Sequence, residues 1–283
     1  MEANTGREFI YTRADFVKIR ELIYRHAGIT LADAKQQLVY SRLARRLREL
    51  DLKKFSDYIE LLRPGAPEWQ LFTNALTTNL TAFFREHYHF PVLAEHVQKI
   101  QRRPIRLWSA ASSTGEEPYS MAMTMVDAFE SFTAPVRILA SDLDTHVLET
   151  AASGIYPLDR LDKISLAQKK RFFRRGKGQN LGNARVVPEL QKLIEFRQIN
   201  LLDSHWHMDC KFDAIFCRNV MIYFDKKTQR ELIEKFLRFL QPDGLLFTGH
   251  SESFFHVGDL IAPIGKTVYR VGARTRQDGV GHG

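Results

Sequence analysis

The hydrophobic period of this chain changes near Pro104, and that change limits the folds open to it. Before it, residues 13 to 75 carry apolar side chains at helical spacing, with Asp15, Asp33 and Ser56 as expected N-caps and Pro64-Gly65 punctuating a loop. After it come short β-rich runs at Ile105 to Trp108, Val136 to Ala140, Leu193 to Phe196, Phe212 to Cys217, Leu245 to Thr248 and Thr267 to Val271. Helical stretches alternate with them at Glu117 to Phe129, Thr145 to Ser153 and Lys226 to Leu240, the last followed by the turn signal Pro242-Asp243-Gly244. Strands alternating with helices predict an α/β fold: a doubly wound, mostly parallel sheet covered on both faces. The expected organisation is a helical domain over 1–78, a linker and helix over 79–103, an α/β domain over 104–273 and a frayed tail from Arg274 to Gly283.

One interval breaks the rhythm. Between Ser153 and Leu193 lie about forty residues, including Gly176, Gly178 and Gly182, too many for a plain connection. Residues 184–187 and 193–196 are expected to pair as a hairpin, making an antiparallel β-subdomain inserted at about 155–195.

A chain of 283 residues, 44% hydrophobic and 26% charged, can bury a substantial core. Its apolar runs stay short of the roughly 18 to 20 residues of a membrane span, and the opening MEANTGREF shows no signal core, so a cytoplasmic protein is expected. Cys210 and Cys217 do not suggest a disulfide framework. The segment from His205 to Cys210 matches no zinc spacing, so no metal is expected. A net charge of +8 favours an anionic partner without selecting nucleic acid, membrane surface or acidic protein.

Open α/β sheets bind ligands beyond the carboxyl ends of their strands. After the first strand comes Ser109-Ala110-Ala111-Ser112-Ser113-Thr114-Gly115-Glu116-Glu117, a turn of small residues opening a helix, which suits a polar ligand or an ordinary strand-to-helix turn equally. After the second comes Ser141-Asp142-Leu143-Asp144, where an acid can hold a ribose diol; Asp144 fits an N-cap better than Asp142 does. The third runs into Asn200-Leu201-Leu202. The fourth runs into Arg218-Asn219-Val220-Met221-Ile222-Tyr223, a polar cluster that a structural salt bridge would only partly explain. Ahead of the sheet sits the run from Thr77 to Glu86.

These segments, TNLTAFFRE, WSAASSTGEEPYS, ASDLDT, INLLD, FDAIFCRNVMIYFD and PDGLLFTGHSE in this order, closely resemble the CheR family of chemotaxis receptor methyltransferases over nearly the whole chain. The resemblance implies a Rossmann-like methyltransferase fold that takes S-adenosylmethionine, yields S-adenosylhomocysteine and esterifies glutamates of methyl-accepting chemoreceptors. It implies a cofactor pocket lined by Asn79, Thr81, Arg85, Glu117, Asp142, Asn200, Leu201, Arg218 and Asn219. In that pocket Asp142 would hold the ribose and Asn200-Leu201 would flank the adenine. Arg85, Glu117 and Arg218 would meet the methionine end.

A glutamate carboxylate, with a pKa of about 4.3, is already a nucleophile at neutral pH, so the reaction calls for alignment rather than a base. Arg85 is expected beside the reacting carboxylate and Tyr223 beside the transferring methyl. On the segment from Lys35 to Leu50 an apolar stripe of Val39, Leu43, Leu47 and Leu50 adjoins a basic face of Lys35, Arg42, Arg45 and Arg46. That face is either simply solvated or, as the resemblance implies, meets the receptor's glutamate-rich cytoplasmic helices. The glycine-spaced loop with Gly176, Gly178, Gly182 and Arg185 resembles family loops that hold a receptor's C-terminal pentapeptide by β-augmentation, which would recruit the enzyme to membrane-embedded receptor arrays. A nucleic-acid methyltransferase and a catalytically silent cofactor- or receptor-binding sensor are the rival readings. Position 218–221 lacks the Asn/Asp-Pro-Pro-aromatic element of amino-methylating enzymes, and neither nucleic-acid binding nor membrane insertion is expected.

Overall fold

The computed structural model describes residues 7–63 and 65–272, which leaves Pro64 and the expected tail from Arg274 outside the described residues. Its contacts divide the chain into two units, one of residues up to Thr78 with Tyr223–Asp225, the other of Asn79–Ile222 with the chain from Lys226.

The first unit packs α1 (Arg13–Ala27), α2 (Gln36–Glu49), α3 (Phe55–Leu61) and α4 (Pro67–Leu76). Their apolar stripes meet in a core of Phe16, Ile19, Ile23, Val39, Leu43, Leu47, Phe55, Tyr58 and Phe72, all fully buried. The expected N-caps are displaced. Thr12 caps α1 and Asp15 closes a reciprocal capping box from inside the first turn, because the carboxylate reaches back to the Thr12 N–H at 2.8 Å. Asp33 opens a 3₁₀ turn behind Ala32, and Ser56 lies inside α3, behind Lys54.

The second unit begins with α5 (His89–Lys99), β1 (Ile105–Ser109), α6 (Glu116–Ala128), β2 (Val136–Asp142) and α7 (Thr145–Ser153). It continues through β3 (Ile155–Pro157), α8 (Leu166–Phe172), β4 (Phe173–Arg175), β5 (Asn183–Val186), α9 (Pro188–Gln191) and β6 (Ile194–Gln198). β7 (Phe212–Cys217), α10 (Lys226–Phe239), β8 (Leu240–Thr248), β9 (Ile261–Gly265) and β10 (Val268–Val271) complete it. The large sheet runs β6-β2-β1-β7-β8-β10-β9. Its first five strands are mutually parallel, and β10 is antiparallel to both neighbours. β7 is buried along its whole length, as expected for a strand covered on both faces.

The inserted subdomain exists, but its pairing differs from the expected hairpin. β5 lies between β3 and β4, antiparallel to both, whereas β6 joins the large sheet parallel to β2. The short helix α9 separates the two runs and redirects the chain, while Leu193 and the half-buried Ile194 and Phe196 belong to the core of the large sheet. α10 ends before Pro242-Asp243-Gly244 as expected, and this turn signal lies within β8. Leu240 pairs with Phe212 and Leu245 with Ala214, so the intervening residues bulge from β8.

Phe216 in β7 is fully buried and stacks on Phe247 of β8 with ring centroids 4.2 Å apart. Phe216→Ala should cost about 3–5 kcal/mol in urea unfolding. Leu181→Ala, at a position 73% exposed, should change stability by less than about 0.5 kcal/mol.

Candidate active site

Parallel strands bring their carboxyl ends to one edge of the sheet, and the chain order reverses between β1 and β7. Ser109, Asp142 and Cys217 end the three central strands at that edge. The loops that follow are held by hydrogen bonds to one another. Ser113 N donates to Asp142 Oδ2 at 2.8 Å, Asp144 N to Asp142 Oδ1 at 3.0 Å and Ile199 N to the Asp142 carbonyl at 3.1 Å. Asp144 is the N-cap of α7, accepting from His146 N at 2.9 Å, and Asn79 Nδ2 donates to its other oxygen at 2.8 Å. Gly115 opens α6 at φ +96°, a left-handed turn where a Cβ would also press into Ala151 and Tyr156.

Beside this loop lies a buried ionic node. Arg218, 5% exposed, donates through Nη1 to Glu117 Oε2 at 3.0 Å and through Nη2 to the Arg85 carbonyl at 2.5 Å, with Glu86 Oε2 3.3 Å away. Ser109 Oγ donates to Glu117 at 2.7 Å. Glu86 Oε1 accepts from Asn219 Nδ2 and from the His250 N–H, each at 3.1 Å. Burial pushes the Glu117 carboxyl above its ordinary pKa, against the pull of Arg218. At Glu86 burial acts in the same direction, but the Arg218 charge and the donors from His250 and Asn219 outweigh it and hold the carboxyl below the usual range. Phe84, Glu86, Ser113 and Asn219 all adopt positive φ, between 48° and 60°, in these loops. Gly249 permits the last of them, since a Cβ there would collide with Asn219.

Thus Glu117, Arg218, Asn219 and the Arg85 backbone come together, and Asn79 joins the Asp142–Asp144 loop. Arg85 itself is half-buried, its Nη1 donating to the Leu80 carbonyl at 2.7 Å, and the Thr81 carbonyl accepts from Arg160 at 3.3 Å. Asn200 and the buried Leu201 follow β6, with Asn200 Oδ1 accepting from Leu202 N at 3.0 Å. Tyr223 ends a 3₁₀ turn after β7 and belongs to the helical unit, its carbonyl accepting from Thr30 N at 3.0 Å. Of the basic face on α2, Arg42 donates to the Leu76 and Thr77 carbonyls at 2.9 and 2.7 Å, and Arg46 pairs with Glu68 at 2.7 Å. Lys35 and Arg45 remain exposed. Gly178 and Gly182 lie in the β4–β5 loop at φ +58° and +90°, and Arg185 projects from the central strand of the small sheet.

Sequence reasoning missed Glu86, whose only signal was its place at the end of TNLTAFFRE. It also missed Glu252, a buried carboxylate that accepts from Met221 N at 2.8 Å and from the Gly249 N–H.

Residues 79–270, which contain this whole edge of the sheet, match the family model described as CheR methyltransferase, SAM binding domain, and residues 14–77 match CheR methyltransferase, all-alpha domain. The chain belongs to the CheR methyltransferase family. It is 58% identical over 266 residues to "Chemotaxis protein methyltransferase 2" of Pseudomonas aeruginosa, covering 93% of this chain and 95% of that one. It is 52% identical to the "Chemotaxis protein methyltransferase" of Salmonella typhimurium and 50% identical to that of Escherichia coli, over about 90% of each chain. The SAM binding domain of this CheR protein is therefore the second unit, and the buried node lies inside it.

Arg218→Met leaves Glu86 and Glu117 buried without their cation. The variant should lose about 3–5 kcal/mol at pH 8. In the parent protein Glu86 is held below its unfolded pKa, so its share of stability is still present at pH 5 and fades only below about pH 4.5. The variant's orphaned carboxyls, buried without a cation, take up protons at pH 5, so the deficit should shrink there. Urea unfolding at the two pH values measures it.

Proposed function

We propose that this protein transfers the methyl group of S-adenosylmethionine to glutamate side chains on the cytoplasmic helices of bacterial chemoreceptors, forming glutamyl methyl esters in chemotactic adaptation. The observation that carries the reading is similarity over about nine-tenths of each chain, at 50–58% identity, to proteins named chemotaxis protein methyltransferase. The loops at the strand ends agree with it.

The donor set fits the cofactor. Ser112 Oγ and Arg218 Nε are buried polar atoms without a protein partner, chemistry suited to a ligand bearing a carboxylate and polar hydroxyls. Asp142 would accept from the ribose, Asn200 and Leu201 would flank the adenine, and Asn79, Thr81, Arg85, Glu117, Arg218 and Asn219 would surround the methionine end. Bound there, S-adenosylmethionine supplies a methyl group activated by its sulfonium. The protein's work is then alignment, which in favourable cases is worth about 7–11 kcal/mol of barrier. Arg85 is assigned to hold the incoming carboxylate ionised and oriented. Tyr223 is assigned to wall the methyl path, on the strength of its place five residues beyond Arg218. Neither assignment needs a general base, since the nucleophile is a carboxylate.

On the substrate side, Lys35 and Arg45 present exposed cations to acidic receptor helices, while Arg42 and Arg46 brace α2 against α4. The short β3-β5-β4 sheet has open edges, and its Gly176–Arg185 segment is assigned to a receptor C-terminal pentapeptide. Among the described residues no helix is long and apolar enough to cross a membrane.

Transfer of labelled methyl to a chemoreceptor cytoplasmic fragment tests the reading. Base-labile label that disappears on Glu→Ala substitution in the receptor is expected; tight cofactor binding without transfer would point to a sensor. Asp142 gives a separate check. Burial pushes its carboxyl up to about 6, against the backbone donors from Asp144 and Ser113. Its ionised form accepts from the ribose, so affinity for S-adenosylhomocysteine should fall on acidification from pH 7 to 5. Its contribution to stability runs the other way, declining as pH rises from about 4 to 6. Asp142→Asn should weaken binding by about tenfold to a hundredfold at pH 7.5 and flatten that acid limb in calorimetry.

A further inference from the structure

The connection from β6 to β7 carries no helix; residues 199–211 form an irregular loop. Such a loop leaves backbone carbonyls that a helix would satisfy, and here one side chain takes them. Lys235, on α10, donates from Nζ to the Leu201 carbonyl at 2.9 Å and to the Asp203 carbonyl at 2.5 Å. The same ammonium stands 4.1 Å above the Trp206 ring. Trp206 is 5% exposed and donates its indole N–H to the Asn200 carbonyl at 3.2 Å, while Asp203 N returns to that carbonyl at 3.1 Å. Both residues proposed to flank the adenine therefore hang from one clamp made by an ammonium and an indole.

We propose that Lys235 is a positioning residue for the cofactor, its ammonium setting the conformation of Asn200 and Leu201 and thereby making cofactor affinity depend on its own protonation. The inference rests on the assignment of these two residues to the adenine.

Burial lowers the Lys235 pKa to about 8. Asp203 on the loop and Glu231 on α10 favour the charge, and Arg238 on α10 opposes it. A neutral amine is the weaker donor to two carbonyls and gives up the attraction to the indole face. Among arrangements of the loop that leave the amine buried, the one bonded to it is therefore favoured less above about pH 8, and a ligand that needs Asn200 and Leu201 in that arrangement binds less tightly. By linkage, such a ligand must return a proton to Lys235 when it binds in that range. The effect on folding has the opposite sign: the folded pKa lies below the unfolded one, so between about pH 8 and 10.5 deprotonation of Lys235 raises stability. Loss of affinity in that window cannot then be assigned to unfolding at this residue.

The experiment uses the full chain as wild type, Lys235→Met and Lys235→Arg, with S-adenosylhomocysteine as probe. Calorimetry from pH 7 to 9.5 in buffers of different ionisation enthalpy gives affinity and proton uptake together. Expected are a loss of about tenfold in wild type across that range with proton uptake, a Lys235→Met protein already about tenfold weaker at pH 7, and a Lys235→Arg protein close to wild type at pH 7. Neither variant should show the extra alkaline loss. The ligand's own amine titrates alike against all three proteins, so the differences between them carry the result. A Lys235→Met protein with the affinity and pH profile of wild type overturns the proposal. Amide exchange across residues 199–211 without ligand is read in parallel: it should quicken in Lys235→Met, and unchanged exchange overturns the clamp. Absence of probe binding to wild type, with that quickening present, would mark failure of the cofactor assignment instead.

Discussion

Arg218 carries a full charge into a place with almost no water, and the edge of the sheet is organised around satisfying it. A guanidinium in that setting demands anionic partners, because an unpaired buried cation costs several kcal/mol. Glu117 supplies one from the first turn of α6, and Glu86 supplies another from the segment ahead of α5. Arg218 itself follows β7, so three stretches distant in sequence are held by one charge. The left-handed backbone at Phe84, Glu86 and Asn219 follows from this. Such conformations cost about 1–3 kcal/mol each and persist only where surrounding bonds enforce them. Here those bonds are the Arg85 carbonyl on Arg218 and the Asn219 and His250 donors on Glu86.

The rest of the edge works by backbone donors. Asp142 accepts from Ser113 and Asp144, which closes the loop after β1 against the loop after β2. Asn79 and Asp144 then tie the leading segment to α7. Each loop takes its shape from the neighbouring one, so the site is a property of the sheet's topology more than of any single motif.

That division explains what could be read from the chain. Six strands of the large sheet were legible as short apolar runs, most clearly where both faces are buried, as at Phe212–Cys217. β9, Ile261–Gly265, was missed, because it carries Pro263 and ends on the exposed Ile264 and Gly265. β4, Phe173-Arg174-Arg175, carries two exposed arginines and gave no such signal. The misassigned hairpin came from treating two neighbouring apolar runs as partners, when α9 separates them and a parallel neighbour claims the second. Asp15 was placed one role away from its own: local hydrogen bonding identifies the turn, but only geometry tells the cap from its reciprocal partner. Within the candidate site, topology pointed to the segments that follow the strands, and the family resemblance named the residues within them. Glu86 and Lys235 were not found, because each acts through partners about 130 and 30 residues away, at Arg218 and at Leu201.

Burial displaces Asp142 upward and Lys235 downward, so two groups with ordinary values far from neutrality approach it from opposite sides. Both displacements have the same origin, a charge held where water is scarce, and both groups shape loops at the end of β2 and β6. On the proposed cofactor assignment, the carboxylate must be ionised and the ammonium protonated for the best fit. The two conditions overlap between about pH 6 and 8. Affinity bounded on both flanks would then arise from groups that receive no proton in the reaction, and a bell-shaped rate profile would not by itself imply acid–base catalysis. The nucleophile needs no base, so the pH dependence of such an enzyme would report the loops rather than the chemistry.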